Sequence, residues 1–326
     1  MPQSKSDTKR TFKNLSHTPQ LAKGVSMFSI LKDFLFRPKS VSPSGRITTQ
    51  KVDLKSLYSD KPALIWFGHS SYLIHYKGKN ILVDPVFSGY ASPFSFYIKA
   101  FDGADAYKPE DMPEIDILII THNHYDHLDL KTIEALSPKI RTYIMPLGVK
   151  EDLKGMNINP AQIRELGWWD RTDMGANIKL IATPARHFSG RGLKRNGSLW
   201  ASFVLMLDDY RIFIGSDSGY DSHFKEIGSR FGPFDIAILE CGQYNTAWPF
   251  IHSQPEELIV EGFDLDAKVL MPVHWGKFAL ALHEWDEPIK RFVRAAEAAD
   301  VPYTTPMIGQ PVVLDEFYPK EPWWES

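Results

Sequence analysis

Two features of this sequence predict a layered α/β fold: short apolar runs of strand length, and stretches of helical apolar spacing that fall between them. From Pro62 onward the texture is β. Residues 63–67, 72–76 and 81–83 read as strands, with Lys77-Gly78-Lys79-Asn80 turning between the last two. Residues 117–120 are wholly apolar, the pattern of a strand buried on both faces. Runs at 142–145, 178–183, 201–207, 211–215, 236–239 and 269–273 read as further strands. One helix is expected to start at Asp129. Another follows Ser253-Gln254-Pro255-Glu256, which has the form of a capping box with Glu256 reaching back to Ser253. A third is capped by Asp286, with Ile289, Phe292, Val293 and Ala296 as one apolar stripe.

Composition narrows the function classes. The chain has 326 residues, 43% hydrophobic and 24% charged, within reach of one large domain. Thirty-seven basic residues against 40 acidic ones leave a net charge of −3, which lacks the basic footprint of a nucleic-acid binder. The single cysteine, Cys241, excludes an intrachain disulfide and fits a reducing compartment. No apolar run approaches the ~20 residues of a spanning helix, and residues 1–23 lack a secretory signal, so a cytoplasmic protein is expected.

Residues 1–45 are expected to form an N-terminal arm and residues 46–326 the main domain. The polar start of the arm, to about Lys23, reads as poorly ordered. Met27, Phe28, Ile30, Leu31, Phe34, Leu35 and Phe36 then follow at helical spacing. Two readings stay open for them: a helix packed on the domain body, or a short helix at a membrane surface or substrate groove.

The chemistry concentrates in Thr121-His122-Asn123-His124-Tyr125-Asp126-His127-Leu128-Asp129, directly after a buried strand. In extended backbone, residues two apart point the same way, so His122 and His124 can share one cation. Asp126 and His127 can face a second. Crowded imidazoles without a cation would oppose one another's protonation and add no packing. His187, Asp217 and His274 each close a further apolar strand and are the expected complement, with Gly219 allowing a tight turn behind Asp217.

These motifs resemble the metallo-β-lactamase fold superfamily, and within it the N-acyl-phosphatidylethanolamine phospholipase D-like hydrolases related to L-ascorbate-6-phosphate lactonases. The resemblance spans roughly residues 60 to 288 and is carried by several segments. They include Trp66-Phe67-Gly68-His69, Asp84-Pro85-Val86-Phe87-Ser88, the histidine-rich loop and Leu166-Gly167-Trp168-Trp169-Asp170. Pro184 to Arg191, Asp217-Ser218-Gly219-Tyr220 and His274-Trp275-Gly276-Lys277-Phe278 complete the set. Cys241-Gly242-Gln243-Tyr244 departs from the phospholipase pattern, which bears on the substrate rather than the metals.

The resemblance implies a four-layer αβ/βα sandwich with two divalent metals at one edge. By position, His122, His124 and His187 hold the first metal, Asp126, His127 and His274 the second, and Asp217 bridges them. An imidazole at His124, where oxygen-handling di-iron relatives place a carboxylate, favours hydrolysis and zinc, with manganese or iron as alternatives. The expected activity is hydrolysis through a bridging hydroxide of a phosphodiester carrying a lipid-like group, with Asp217 essential. A lactonase or small sugar-phosphate hydrolase is the alternative substrate reading. A non-catalytic binding module is the alternative class, although it predicts missing ligands.

His69 is a candidate for substrate or solvent contact, Asp84 for orienting a ligand histidine or the hydroxide, and His252 for protonating the leaving group. His17, His75, His223 and His283 read as surface or packing residues, and Cys241 as a small buried one. Phe87, Tyr90, Phe94, Phe96, Tyr97, Phe101, Trp248 and Phe250 form either a self-packed loop or an apolar groove for an acyl chain. With the amphipathic segment, the groove reading adds peripheral membrane contact to the expected partners. Nucleic acid is not among them.

Overall fold

The computed structural model describes residues 11–192 and 194–325. The first ten residues of the expected arm lie outside the described residues. After α1 (Met27–Leu35), β1 (Ala63–Trp66), β2 (Tyr72–Tyr76) and β3 (Lys79–Val83) form an antiparallel meander. β4 (Ile115–Ile119), α2 (Leu130–Leu136), β5 (Ile140–Pro146) and β6 (Ile163–Leu166) add parallel strands to it. β7 (Arg171–Asp173) and β8 (Ile178–Thr183) open a second sheet, followed by the small β9 (Gly190–Arg191) and β10 (Lys194–Arg195) ribbon. β11 (Ser202–Leu207), β12 (Tyr210–Ile214), α3 (His223–Phe231), β13 (Ile236–Glu240), α4 (Glu257–Leu265), β14 (Leu270–Val273) and α5 (Glu287–Ala298) complete that sheet. β15 (Pro311–Val313) returns to the first one.

The sheets run β15-β1-β2-β3-β4-β5-β6 and β14-β13-β12-β11-β8-β7. Alternation of side chains along each strand assigns their two faces. Leu64, Ile74, Ile81, Ile117 and Ile119 meet Leu180, Phe203, Leu205 and Ile212 between the sheets. Ile65, Leu73, Leu82 and Leu118 point the other way and pack with Ile133 and Leu136 of α2. On the far side, Phe224, Leu258, Ile289 and Phe292 of α3, α4 and α5 cover the second sheet. The result is the expected four-layer αβ/βα sandwich. Residues 117–120 are buried throughout at its centre.

Strand direction positions the site. β1, β3 and β4 point one way in the first sheet, and β8, β12, β13 and β14 share a direction in the second. Their C-terminal ends carry His69, Asp84, His122, His187, Asp217 and His274, the edge where ligands gather in parallel-strand folds.

Several local expectations are corrected. The β2–β3 turn is two residues, Lys77 and Gly78, both at positive φ, so Lys79 and Asn80 already belong to β3. Ser253 does not cap α4. Its hydroxyl donates to the Ser218 carbonyl and accepts from the Glu261 carboxyl, which burial keeps protonated, while Glu256 pairs with Arg291 at 2.6 Å. Asp286 precedes α5, but its carboxylate binds Lys290 at 2.6 Å instead of helix amides. Gly219 is not in a left-handed turn; a Cβ there would run into the Phe250 carbonyl, so the residue permits close approach of the chain carrying His252.

The arm departs most from expectation. Residues 11–25 lie against the body, tied by Phe12 N to the Asn196 carbonyl at 3.0 Å and Ala22 N to the Ala247 carbonyl at 2.8 Å. Arg186 donates to the His17 carbonyl and Thr18 Oγ1, each at 3.0 Å. A polar composition hid this because the contacts are hydrogen bonds, not apolar burial. α1 forms as the spacing predicts, but much of its apolar surface faces solvent instead of the body. No helix among the described residues is long and apolar enough to cross a membrane.

Where α3 crosses α4, a Cβ on Gly228 would overlap the Asp264 carbonyl. Gly228→Ala is therefore expected to destabilise the fold by about 1–3 kcal/mol through overpacking, read as an earlier midpoint in urea denaturation.

Candidate metal centre

The histidine-rich loop leaves β4 and ends at Asp129, which caps α2 by accepting from the Lys131 and Thr132 amides. The loop is held open from both sides. Asn123 accepts from the Gly190 amide at 2.8 Å and donates to Asp152 at 2.8 Å. Arg191 donates to the Asn123 and Leu128 carbonyls at 3.1 and 2.6 Å and stacks over Tyr125. These bonds fix backbone that would otherwise close on itself.

The seven expected ligands converge. His122, His124, His187 and Asp217 offer ligand atoms within 4.8 Å of one another, and Asp126, His127 and His274 form a second such group with His69. Asp217 stands between them. Its Oδ1 faces His127 Nε2 at 3.1 Å and His274 Nδ1 at 3.2 Å, while Oδ2 faces His122 Nε2 at 3.7 Å and His187 Nε2 at 3.6 Å.

Hydrogen bonds on the far ring nitrogens set which lone pairs point inward. Asp84 Oδ2 takes His127 Nδ1 at 2.8 Å and the Thr121 hydroxyl at 2.6 Å. Because that hydroxyl donates to Asp84, it accepts from His122 Nδ1 at 3.0 Å. His187 Nδ1 donates to the Ile251 carbonyl at 2.8 Å. All three rings therefore turn Nε2 toward the centre, and it is unprotonated in His122 and His187. Burial opposes charge on His127, but Asp217 and Asp126 outweigh it and hold that ring well above the ordinary histidine range, so its Nε2 carries a proton that a bound cation would displace. The His127 Nε2 and Asp217 Oδ1 atoms are buried and face each other at 3.1 Å without good hydrogen-bond geometry. Such a convergence of ring nitrogens and carboxylate oxygens suits divalent cations.

Charge follows the same logic. Burial pushes His122, His187 and His274 well below the ordinary histidine range, and His124 to about 4, so these rings stand neutral. Burial also opposes charge on Asp126 and Asp217. The attraction of His127 and other imidazoles nonetheless holds both well below the usual carboxylate range. Neutral imidazoles and ionised carboxylates are the forms that bind metals.

The remaining candidates separate by geometry. Asp84 lies behind His127, bonded to its outer ring nitrogen. His69 is fully buried, bonded to Asp126 at 2.9 Å and packed on His274 with ring centroids 4.1 Å apart. It meets the cluster from beneath and does not reach solvent, contrary to its expected contact there. His252 lines the cavity above the cluster, with Nδ1 on Glu240 Oε2 at 2.6 Å. Burial opposes its charge, but the Glu240 carboxylate outweighs this and raises His252 to about 9. Cys241 is buried with its thiol pushed up by burial, as suits a packing residue.

Three contributors were absent from the sequence reading. Glu240 ends an otherwise apolar strand, and its Oε1 also accepts the Ser218 and Ser253 amides at 2.8 and 3.1 Å. A lone acid closing such a run was the available signal. Ser70 bonds His274 Nδ1 at 2.8 Å. Asn14, on the arm, pairs its amide with both backbone groups of His187, accepting from N at 3.1 Å and donating to O at 2.7 Å. The Cys241–Tyr244 departure also has a structural role: Gln243 donates to the His274 and Phe278 carbonyls, and Gly242 leaves room for the His274 carbonyl.

The cavity over the cluster measures about 310 Å³, and its rim includes Tyr97, Ile98, Phe188, Trp248 and Leu280. The aromatic set divides. Tyr97 and Trp248 line it, Phe87 and Phe101 are core, and Phe94 and Phe96 lie exposed outside. Tyr90 sits beneath Lys131 and Phe250 beneath Arg186.

Fold and site together define a metallo-hydrolase scaffold. The sequence profile of the β-lactamase superfamily domain matches residues 79–275, and the chain belongs to that family. It is 36% identical to an uncharacterised protein of Mycobacterium tuberculosis over 299 residues, 90% of this chain and 80% of that one. It is 31% identical over 239 residues to the N-acyl-phosphatidylethanolamine-hydrolyzing phospholipase D 1 of Caenorhabditis elegans, covering 68% of this chain and 65% of the relative. Among solved structures, Igni18, a metallo hydrolase from Ignicoccus hospitalis, superposes with a TM-score of 0.58 at 17% identity. The match covers 79% of this chain and all of that one, and shows the shared fold.

Removing an orienting partner of a ligand histidine typically costs 10–100-fold in metal affinity. Asp84→Ala, which frees His127 and slackens Thr121, is expected to weaken metal retention by about that factor, measured by elemental analysis after dialysis against graded chelator.

Proposed function

We propose that the chain is a dinuclear metal-dependent hydrolase acting on a phosphodiester that carries a lipid-like group. The observation that supports this most is the division of the Asp217 oxygens between two imidazole clusters. His122, His124 and His187 would hold one cation, Asp126, His127 and His274 the other, with one Asp217 oxygen on each. The five imidazoles suit zinc, and the same set accommodates manganese or iron. Bound there, two divalent cations would supply Lewis acidity toward a phosphoryl oxygen and an attacking water of lowered pKa.

The chain's own residues do the rest. Asp217 and Asp126 offset cationic charge while leaving an excess that attracts an anionic phosphodiester. Water adds to phosphorus, the bond from phosphorus to one alcohol oxygen breaks, and that oxygen needs a proton. His252, held by Glu240 and lining the cavity, is placed to deliver it. Glu240 is a positioning residue in this scheme. Tyr97, Trp248, Phe188 and Leu280 offer the apolar rim that an acyl chain requires. The phospholipase D relative supports this substrate class.

Metal content and turnover test the reading together. The chain is expected to hydrolyse a long-chain N-acyl-phosphatidylethanolamine with kcat/KM roughly tenfold or more above a short-chain analogue, since each buried methylene is worth about 0.8 kcal/mol. Equal rates would remove the apolar rim from the account, and a preference for lactones would replace the substrate. Asp217→Ala is expected to lose metal and at least about a hundredfold in kcat; full activity with both metals retained would overturn the proposal. His252→Ala is expected to lower kcat by about 10²–10⁴ with metal content unchanged, the range for general acid catalysis.

A further inference from the structure

α1 leaves much of its apolar side uncovered. Phe28, Leu31 and Leu35, spaced as one helical face, are 77%, 59% and 73% exposed, and Phe36 just beyond is 79% exposed. Ile30 and Phe34 are half-buried, so the helix is apolar on both sides. A second uncovered patch stands next to it. Phe94 and Phe96 stack with centroids 5.5 Å apart and are 58% and 76% exposed. A cleft lined by Arg37 from beyond α1 and by Phe96 and Tyr97 joins the two patches.

Both patches are tied to the mouth of the catalytic cavity. Tyr97 lines the cleft and the cavity alike. At the other end, Ala22 N bonds the Ala247 carbonyl beside Trp248, which also lines the cavity. Isolated exposed apolar residues need no explanation, but Phe28, Leu31, Leu35, Phe36, Phe94 and Phe96 form two groups of large exposed side chains of the kind that marks an interaction surface.

Charge identifies the partner. From Lys23 to Arg46 the chain has five basic residues, Lys23, Lys32, Arg37, Lys39 and Arg46, against the single acid Asp33. The whole protein carries −3, so this stretch has the opposite sign to the rest. A short helix with exposed large apolar side chains and flanking lysines and arginines is suited to lie in the plane of an anionic lipid surface. A second copy of the chain would bring like charge against like charge at the same face.

We propose that α1 and the Phe94–Phe96 loop dock the protein on an anionic membrane, with the cavity mouth turned toward the lipid. An acyl-bearing phosphodiester then passes from bilayer to cavity over Tyr97 and Trp248 without its chain crossing water. This use of the face rests on the hydrolase reading; the docking itself does not.

Vesicle sedimentation of the full chain tests it without turnover. Wild type is expected to sediment with phosphatidylcholine vesicles containing phosphatidylserine, and several-fold less with phosphatidylcholine alone. The triple variant Phe28→Ser, Leu31→Ser, Leu35→Ser, all at exposed positions, is expected to lose at least tenfold in partition with an unchanged thermal midpoint. Lys32→Glu with Arg37→Glu is expected to abolish the dependence on phosphatidylserine and keep the fold. Equal sedimentation of wild type and triple variant, or none by either, would overturn the docking face. So would a wild-type dimer by light scattering that the triple variant converts to monomer, because the face would then be a contact between copies. A protein that sediments as expected but hydrolyses no phosphodiester keeps the docking face and loses the substrate assignment.

Discussion

The arrangement depends on one buried carboxylate with two separate duties. Asp217 sits at the end of β12 with each oxygen turned to a different group of imidazoles. Without cations, that centre crowds ring nitrogens and carboxylate oxygens together against the cavity, which folding alone does not favour. The surrounding bonds nonetheless enforce it. Asp84, Thr121 and the Ile251 carbonyl occupy the outer ring nitrogens, so the inner ones face His124 and Asp217 at the centre.

The fold makes that enforcement possible by bringing strand ends from two sheets to one edge. The sheets supply rigid backbone up to the last strand residue, and the ligands follow within a few positions. Support then comes from distant chain segments: Asn14 on the arm grips the His187 backbone, and Gln243 grips the turn after β14. A site stapled this way tolerates mutual repulsion among its side chains better than a site on free loops. The arm thus contributes to the centre as well as to the surface beside it.

Much of this was legible in the sequence because it lies in local patterns. Apolar runs gave the central strands, and the crowded HxHxDH loop announced its chemistry without help from tertiary structure. The edge strands β6, β7 and β15 were not legible. Arg171–Asp173 is polar and mostly exposed, and β15 begins with a proline, which only an edge tolerates. Ser253 looked like a helix cap because its spacing to Glu256 was right. Its hydroxyl was instead claimed by Ser218 and Glu261, which arrive from elsewhere in the chain. Asn14 and Glu240 carried almost no local signal, since their roles consist wholly of long-range hydrogen bonds.

The aromatic segment after Asp84 shows the same limit. Its composition allowed a groove or a self-packed loop, and the structure sends its members to core, rim and solvent. Only the fold decides which ring goes where. Of the solvent-facing members, Phe96 shares a cleft with Arg37, just beyond α1.

The central claim, that Asp217 joins two cations, is tested most directly by anomalous X-ray diffraction from crystals of the metal-loaded protein. The account predicts two anomalous peaks, one on the His122–His124–His187 side of Asp217 and one on the Asp126–His127–His274 side. A single peak at full occupancy, or two peaks neither of which touches Asp217, would contradict it.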